Sequence, residues 1–315
     1  MALILVLIMV FGSIAGALTG CGAKEPEPKS PVRVASLKGP TTIGIVNMIS
    51  EESPDYSFEM YTQGSDIMAA MVAGNVDIGL VPANVACVMN NKAEGGVTVI
   101  DINTLGVLYC VTGDASVTSI KDFAGKTVYT TGQGATPEYT IRYLLEENGV
   151  TDCDLQFKSE ATEVAAFLAE DSSSVAILPQ PFVTAALVQN DNLAVAFSID
   201  DEWAKVNNTC RVVTGVTVVR NSFLKENKDA VDQFIKDHEE SAKKTVEDPE
   251  GTAKLVVDKG IIAKEPIALK AIPKCGITCI YGDEMKMILS GYLKILSEQE
   301  PKAVGGALPG DEFYY

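Results

Sequence analysis

A pattern of short apolar strand, turn and helix occurs twice along the chain, and this duplication constrains the possible folds more than any other feature. Ile78-Gly79-Leu80-Val81-Pro82 is matched by Val175-Ala176-Ile177-Leu178-Pro179, and the two prolines lie 97 residues apart. Ahead of each comes a helical segment, Ala69-Ala70-Met71-Val72-Ala73 and Ala165-Ala166-Phe167-Leu168-Ala169, at a spacing of 96. Earlier again, each half has a strand running into a glycine turn. Val32-Arg33-Val34-Ala35 precedes Leu37-Lys38-Gly39-Pro40-Thr41, and Thr127-Val128-Tyr129-Thr130 precedes Gly132-Gln133-Gly134-Ala135-Thr136-Pro137; Gly39 and Gly134 are 95 apart. Strands alternating with helices imply parallel sheets covered on both faces. The expected fold class is α/β with two lobes, whose loops at the carboxyl ends of the strands form a ligand crevice.

The two halves do not simply follow one another. A strand from Leu105 to Val111 leads into the second lobe, and another from Val212 to Val219 leads out of it. The expected boundaries are therefore 32–110 and 212–315 for a discontinuous first lobe and 111–211 for the second, joined by a two-strand hinge that can open and close. After the return strand, Val231, Phe234 and Ile235 have the spacing of one buried helix face, and Asp248-Pro249-Glu250 ends that helix and starts the next.

The first twenty residues carry no charge, and positions up to Phe11 are almost all Leu, Ile, Val, Met or Ala. At 1.5 Å per residue such a segment could just cross a bilayer, so a retained membrane helix competes with a cleaved signal. Leu18-Thr19-Gly20-Cys21 resembles the lipobox of bacterial lipoproteins, which implies a signal peptide over 1–20 and lipid attachment at Cys21. The basic start of such a signal is missing and is expected to lie upstream of Met1. Residues 21–31 then read as a tether, with three prolines and alternating charges.

Composition narrows the function. The 315 residues contain 25 Lys plus Arg against 42 Asp plus Glu, a net charge of −17, which speaks against nucleic-acid binding because phosphate recognition needs a basic face. With 47% hydrophobic and 21% charged residues the chain is globular rather than disordered.

The order of lipobox, K-G-P-T at 38–41, D-I-G-L-V-P-A-N at 77–84, G-Q-G-A-T-P-E-Y at 132–139, A-I-L-P-Q-P-F-V at 176–183 and the closing G-G-A-L-P-G-D-E-F-Y-Y resembles solute-binding lipoproteins of ABC importers. Within them it is similar to the nitrate/sulfonate/taurine and thiamine-pyrimidine branch of type 2 periplasmic binding proteins. The resemblance runs from Cys21 to Tyr315. It implies two Rossmann-like lobes joined by a two-strand hinge. It also implies capture of a small solute between them, delivery to an ABC permease driven by its ATPase, a lipid anchor on the outer membrane face, a monomer, and no cofactor.

Four segments should place helix N-termini, with their unpaired N–H groups, at the crevice. The candidate solute contacts are Lys38, Gly39 and Thr41; Pro82 and Asn84; Thr131, Gly132, Gln133, Gly134 and Thr136; and Gln180 and Phe182. The glycines permit close backbone approach, the threonines offer hydroxyls, and Asn84 and Gln180 occupy near-equivalent loops of the two lobes. Each glycine or threonine also reads as an ordinary turn or cap residue, Lys38 as a solvated lysine and Phe182 as core. Glu138 satisfies a helix dipole and would repel an anion.

The single histidine, His238, lies in a charged run expected to be a solvated helix face, and Trp203 is expected to pack at the hinge. An enzyme of thiamine-pyrimidine synthesis is a weaker alternative, since no Ser/His/Asp set and no His/Cys metal cluster is spaced along the sequence. A receptor signalling to a kinase stays open. If Cys21 is lipidated, six cysteines remain, of which Cys275 and Cys279 are the pair most open to disulfide testing.

Overall fold

A computed structural model describes residues 30–92 and 95–315. The expected signal segment, Cys21 and nearly all of the expected tether lie outside the described residues. Residues 31–315 form one compact unit.

The chain lays down strands and helices in alternation. In the first half β1 (Val32–Leu37) leads to α1 (Pro40–Gly44) and α2 (Val46–Glu51), β2 (Tyr56–Tyr61) to α3 (Gly64–Val72), and β3 (Ile78–Pro82) to α4 (Ala83–Lys92), followed by β4 (Val97–Leu105). The chain then enters β5 (Leu108–Thr112), and the grammar repeats. β6 (Thr127–Thr130) leads to α5 (Thr136–Glu147), β7 (Asp154–Phe157) to α6 (Ala161–Glu170), β8 (Val175–Pro179) to α7 (Phe182–Gln189), and β9 (Ala194–Ser198) to α8 (Ile199–Val206). It returns through β10 (Val213–Arg220) to α9 (Asn221–Glu226), α10 (Lys228–Glu247), α11 (Pro249–Asp258) and α12 (Glu265–Ala271), then β11 (Ile277–Ile280) and α13 (Gly282–Gln299).

The strands form two sheets, ordered β11-β4-β10-β3-β1-β2 and β7-β6-β8-β5-β9. Putting β6, β7, β8, β5 and β9 in the places of β1, β2, β3, β10 and β4 makes the five-strand orders identical, so the duplication read from spacing is also a duplication of topology. Neither sheet is purely parallel, contrary to the expectation. β1 pairs parallel with β2 and β3, and β6 with β7 and β8, but β10 runs antiparallel to β3 and β4, and β5 to β8 and β9. The physical reason is the crossing itself: β5 and β10 are the first strands after the chain changes sheets, and they enter from the opposite end. The expected single strand from Leu105 to Val111 is broken at 106–107, where β4 of one sheet gives way to β5 of the other.

Burial follows position in the sheets. β3 and β8, the matched apolar runs, each bury four residues and leave the terminal proline half-buried, and β4 is buried throughout. The edge strands β2 and β7 stay largely open to water. Asp248 accepts a hydrogen bond from the Gly251 N–H at 2.9 Å, so it caps α11 with Pro249 in the first turn, where a missing N–H costs nothing.

Trp203 is buried between Tyr143 and Tyr292, with ring centroids 4.7 and 5.4 Å away, and its indole N–H donates to the Cys210 carbonyl at 2.9 Å, beside the return crossing. His238 departs from expectation. It is fully buried, because the apolar stripe of α10 continues from Val231, Phe234 and Ile235 through His238 to Ala242 and Thr245. The six cysteines of the described residues are free thiols. Among the described residues no helix is long and apolar enough to cross a membrane.

Candidate functional site

The carboxyl ends of β1, β3, β6 and β8 feed the four loops chosen from the sequence, and each loop has a distinct local chemistry. After β1, Lys38 is exposed, and its backbone N–H donates to Tyr61 O at 2.8 Å. Gly39 adopts φ 136°, a conformation that favours glycine, and a methyl group there would meet no atom within 4 Å, so the backbone is open to an incoming molecule. Thr41 is buried and turned inward: its hydroxyl donates to Leu37 O at 2.7 Å. A methyl group at Gly215 of β10 would lie 2.9 Å from the Thr41 Cγ2 and 2.4 Å from Asn103 Oδ1. Pro82 ends β3 opposite Gly215 in the strand register.

The β3–α4 and β6–α5 loops meet. The Thr136 hydroxyl donates to Asn84 Oδ1 at 3.1 Å, joining the helix after the third strand of one sheet to the helix after the first strand of the other, and both side chains are buried. Other bonds also tie the halves together. Thr140 Oγ1 and Tyr292 Oη lie 2.7 Å apart, linking α5 to α13, and the Tyr109 hydroxyl donates to Lys274 O at 3.1 Å. Burial, then the neighbouring Cys275, Asp200 and Asp201, push the Tyr109 phenol up, so it stays a donor.

Two of the helix N-termini expected to be open are filled by the chain itself. Before α5, Glu138 reaches back to accept the Gly134 N–H at 2.7 Å and is held by Arg142 at 2.8 Å. A carboxylate thus already occupies the place where an anion would gain from the helix dipole. Around it Thr131 and Gly132 are half-buried, and Gln133 and Gly134 exposed. Gly132 at φ 81° lets Pro137 fold back over the turn. Before α7, Gln180 Oε1 accepts from the Thr184 N–H and hydroxyl at 3.3 and 2.8 Å, so this carbonyl caps its own helix, and Phe182 packs half-buried on the second lobe's core.

Sequence reasoning missed Asp200. Its Oδ1 is buried without a hydrogen-bond partner, its Oδ2 lies 3.6 Å from the Arg211 guanidinium, and its side chain abuts Gly106 at the first crossing, where a methyl group would sit 2.6 Å from its Cβ. The only local signal was an acidic helix start, which is common without function. A separate polar cavity of about 220 Å³ lies away from these loops, between α2 and α10, lined by Asn47, Tyr56, Asp237 and Lys244 among others. Asp101, His238 and Cys279, far apart in sequence, are brought together by β4, α10 and β11.

Comparison with known structures places this geometry. The chain is similar to an ABC transporter protein from Parabacteroides distasonis, with 22% identity, a TM-score of 0.78, and coverage of 91% of this chain and 99% of the other. It is also similar to the periplasmic aliphatic sulphonate binding protein SsuA from Escherichia coli, with 14% identity, a TM-score of 0.70, and coverage of 90% and 98%. The periplasmic nitrate-binding protein NrtA from Synechocystis PCC 6803 matches at 9% identity and a TM-score of 0.54, over 90% of this chain and 74% of that one. No curated protein sequence matches. These likenesses establish the two-lobed periplasmic binding protein fold. The model of the family described as NMT1/THI5 like matches residues 55–252, well over half of the chain, and the protein belongs to that family.

Proposed function

We propose that the protein is the extracytoplasmic solute-binding lipoprotein of an ABC importer, which closes its two lobes on a small molecule and hands it to the permease. The observation that carries this reading is the pair Asn84 and Thr136, buried and bonded to each other from loops of two sheets of the same topology. Such a contact forms and breaks as the gap closes and opens around the crossings at 106–107 and 207–212. Relatives of the fold that carry names of sulphonate and nitrate binding proteins support a solute-carrying role, as does the apolar start with Cys21 for a lipid anchor. The binding component itself is not an enzyme in this reading, and a sensor role would use the same closure.

Two solute classes compete. Lys38 and the open Gly39 backbone favour a sulfonate- or nitrate-like anion. Glu138 on the second-lobe helix and the unpartnered Asp200 oxygen favour a pyrimidine-like solute that donates N–H groups. Because a carboxylate fills the second-lobe terminus, we infer the pyrimidine-like class. A calorimetric panel of sulfonates, nitrate and aminopyrimidines tests this. Micromolar binding, about −8 kcal/mol, of a pyrimidine alone is expected. Selective binding of a sulfonate would overturn the solute assignment, and small-angle scattering that shows no compaction with a bound solute would overturn the closure.

A further inference from the structure

The polar cavity of about 220 Å³ between α2 and α10 is left unused by solute binding. Tyr56 on its wall opens β2, and Tyr61 at the far end of that strand accepts the Lys38 N–H of the crevice, so cavity and crevice lie at opposite ends of β2. The most deeply placed polar side chain of the cavity is Asn47, 3% exposed. Its Nδ2 donates to Ser241 O at 3.3 Å and to Thr245 Oγ1 at 3.1 Å. Ser241 O is a carbonyl, and the Thr245 hydroxyl has given its proton to Ile43 O, so both can only accept and the amide cannot be turned round. Oδ1 is left over. No donor among the described residues pairs with it, and it is not sealed in the core, so this carbonyl is aimed into the cavity that Asn47 lines. A buried acceptor without a partner is unfavourable, and it is satisfied by an N–H or O–H from outside the chain.

The walls indicate the donor. Glu51, Asp237 and Glu240 face Lys244 alone, which leaves a net charge of −2 around the cavity. Lys244 is drawn aside to Glu51, with Nζ 3.7 Å from Oε1. Asp237 is held in place by the Tyr56 hydroxyl at 2.5 Å and Gln233 Nε2 at 2.8 Å. Burial, and then Asp237, push the Tyr56 phenol up, so it stays a donor to that carboxylate and does not add to the negative charge. Water would meet the Asn47 carbonyl but not the charge. A single metal ion would not fit either, because among the described residues these three carboxylates do not bring their oxygens close enough to share one. Negative charge spread along a cavity, with an acceptor at its buried end and the buried Met48 on the same wall, suits an elongated cation with an apolar middle.

We propose that this cavity binds a short linear aliphatic diamine in its doubly protonated form, separately from the solute gap. One ammonium donates to Asn47 Oδ1 and Asp237, and the other sits between the exposed Glu51 and Glu240 at the mouth. The two charges match the −2 of the walls, so the filled cavity carries no net charge. Its volume of about 220 Å³ is the liquid share of about seven waters, which a diamine of about four or five carbons fills.

The test uses the full chain in detergent, titrated calorimetrically with 1,4-diaminobutane at low salt. Saturation at one equivalent is expected, with n-butylamine at least about threefold weaker because it leaves one end of the cavity unmatched. Asn47→Leu should weaken diamine binding about tenfold or more, since it removes an acceptor for a charged donor. Glu240→Gln should weaken it about threefold, and Lys244→Met, which removes the competing ammonium, should tighten it by a similar factor. Thr136→Val, in the solute gap, should leave it unchanged. Circular dichroism checks the fold of Asn47→Leu, and should that variant fail to fold, the opposite shifts of Glu240→Gln and Lys244→Met decide. Absence of saturable binding, binding unaltered by the Asn47, Glu240 and Lys244 substitutions, or its loss in Thr136→Val would overturn the proposal. Displacement of the diamine by an equal concentration of Mg²⁺ would reduce the site to a screened acidic surface and overturn it as well.

Discussion

Replacing Thr136 with valine tests whether the halves are latched across the gap. The substitution keeps the shape of a buried side chain and removes one hydroxyl, whose bond to Asn84 Oδ1 at 3.1 Å joins residues 52 apart in sequence. A neutral intramolecular hydrogen bond is worth about 1 kcal/mol net, so the closed arrangement should lose about fivefold against the open one. If the Asn84 carbonyl stays dry in the closed form, the unpaired oxygen adds a penalty of similar size. Solute affinity should therefore fall at least about fivefold, and the radius of gyration of the solute-free protein, measured by small-angle scattering, should rise. Thr136 Oγ1 is not an N-cap, since Ala135 holds that position before α5, so the melting temperature should change little. Asn84→Ala completes a double-mutant cycle: the two substitutions together should cost no more than either one. Unchanged scattering and affinity in Thr136→Val, or strictly additive losses in the cycle, would refute the latch.

Two further outcomes follow from the core. Asp77 accepts from Arg33 Nη2 and Arg220 Nη2, both at 2.6 Å, and from Arg33 Nε at 2.8 Å. Burial pushes its carboxyl up, but the bonds from Arg33 and Arg220 outweigh that and hold it below the ordinary value. Its contribution is therefore complete above the unfolded value of about 3.9 and is lost as pH falls through the lower folded value. Asp77→Asn should cost about 1–3 kcal/mol in urea melts at pH 7, discounted because both guanidinium groups are partly open to water, and the gap from the parent should shrink in acid. In Gly113→Ala the new methyl would sit 2.6 Å from Asn192 O and 2.9 Å from Ser172 O, both backbone atoms that cannot step aside. A loss of about 1–3 kcal/mol in the same melts is expected; an unchanged midpoint would show that the β5–β6 connection yields freely.

Much of the architecture was legible because strand and helix periods are local. The apolar runs ending at Pro82 and Pro179, and the glycine turns after β1 and β6, stand out at a constant offset before any coordinates are known. The antiparallel placement of β5 and β10 was not, since it depends on where the chain re-enters each sheet. The candidate loops were legible as loops, and the contacts their side chains make were not. Thr41, Gln180 and Glu138 lie where expected, but their side chains turn to Leu37 O, to the first turn of α7 and to the Gly134 N–H. Nothing in residue type alone says whether a hydroxyl or an amide will serve a solute or its own helix.

His238 marks the same division from the other side. Its neighbours Lys236, Asp237, Glu239 and Glu240 suggest solvent, yet its place on the stripe from Val231 to Thr245 puts it inside, and that stripe is written in the sequence. That it meets Asp101 of β4 and Cys279 of β11 is not. By itself the sequence determined the repeated α/β grammar, the acidic balance and the apolar start, because those are properties of short segments and of sums. Only the tertiary structure decided which polar groups pair across the gap and which are left unpaired beneath it, because those distances are set by how two sheets and α10 pack, over separations of 52 to 178 residues.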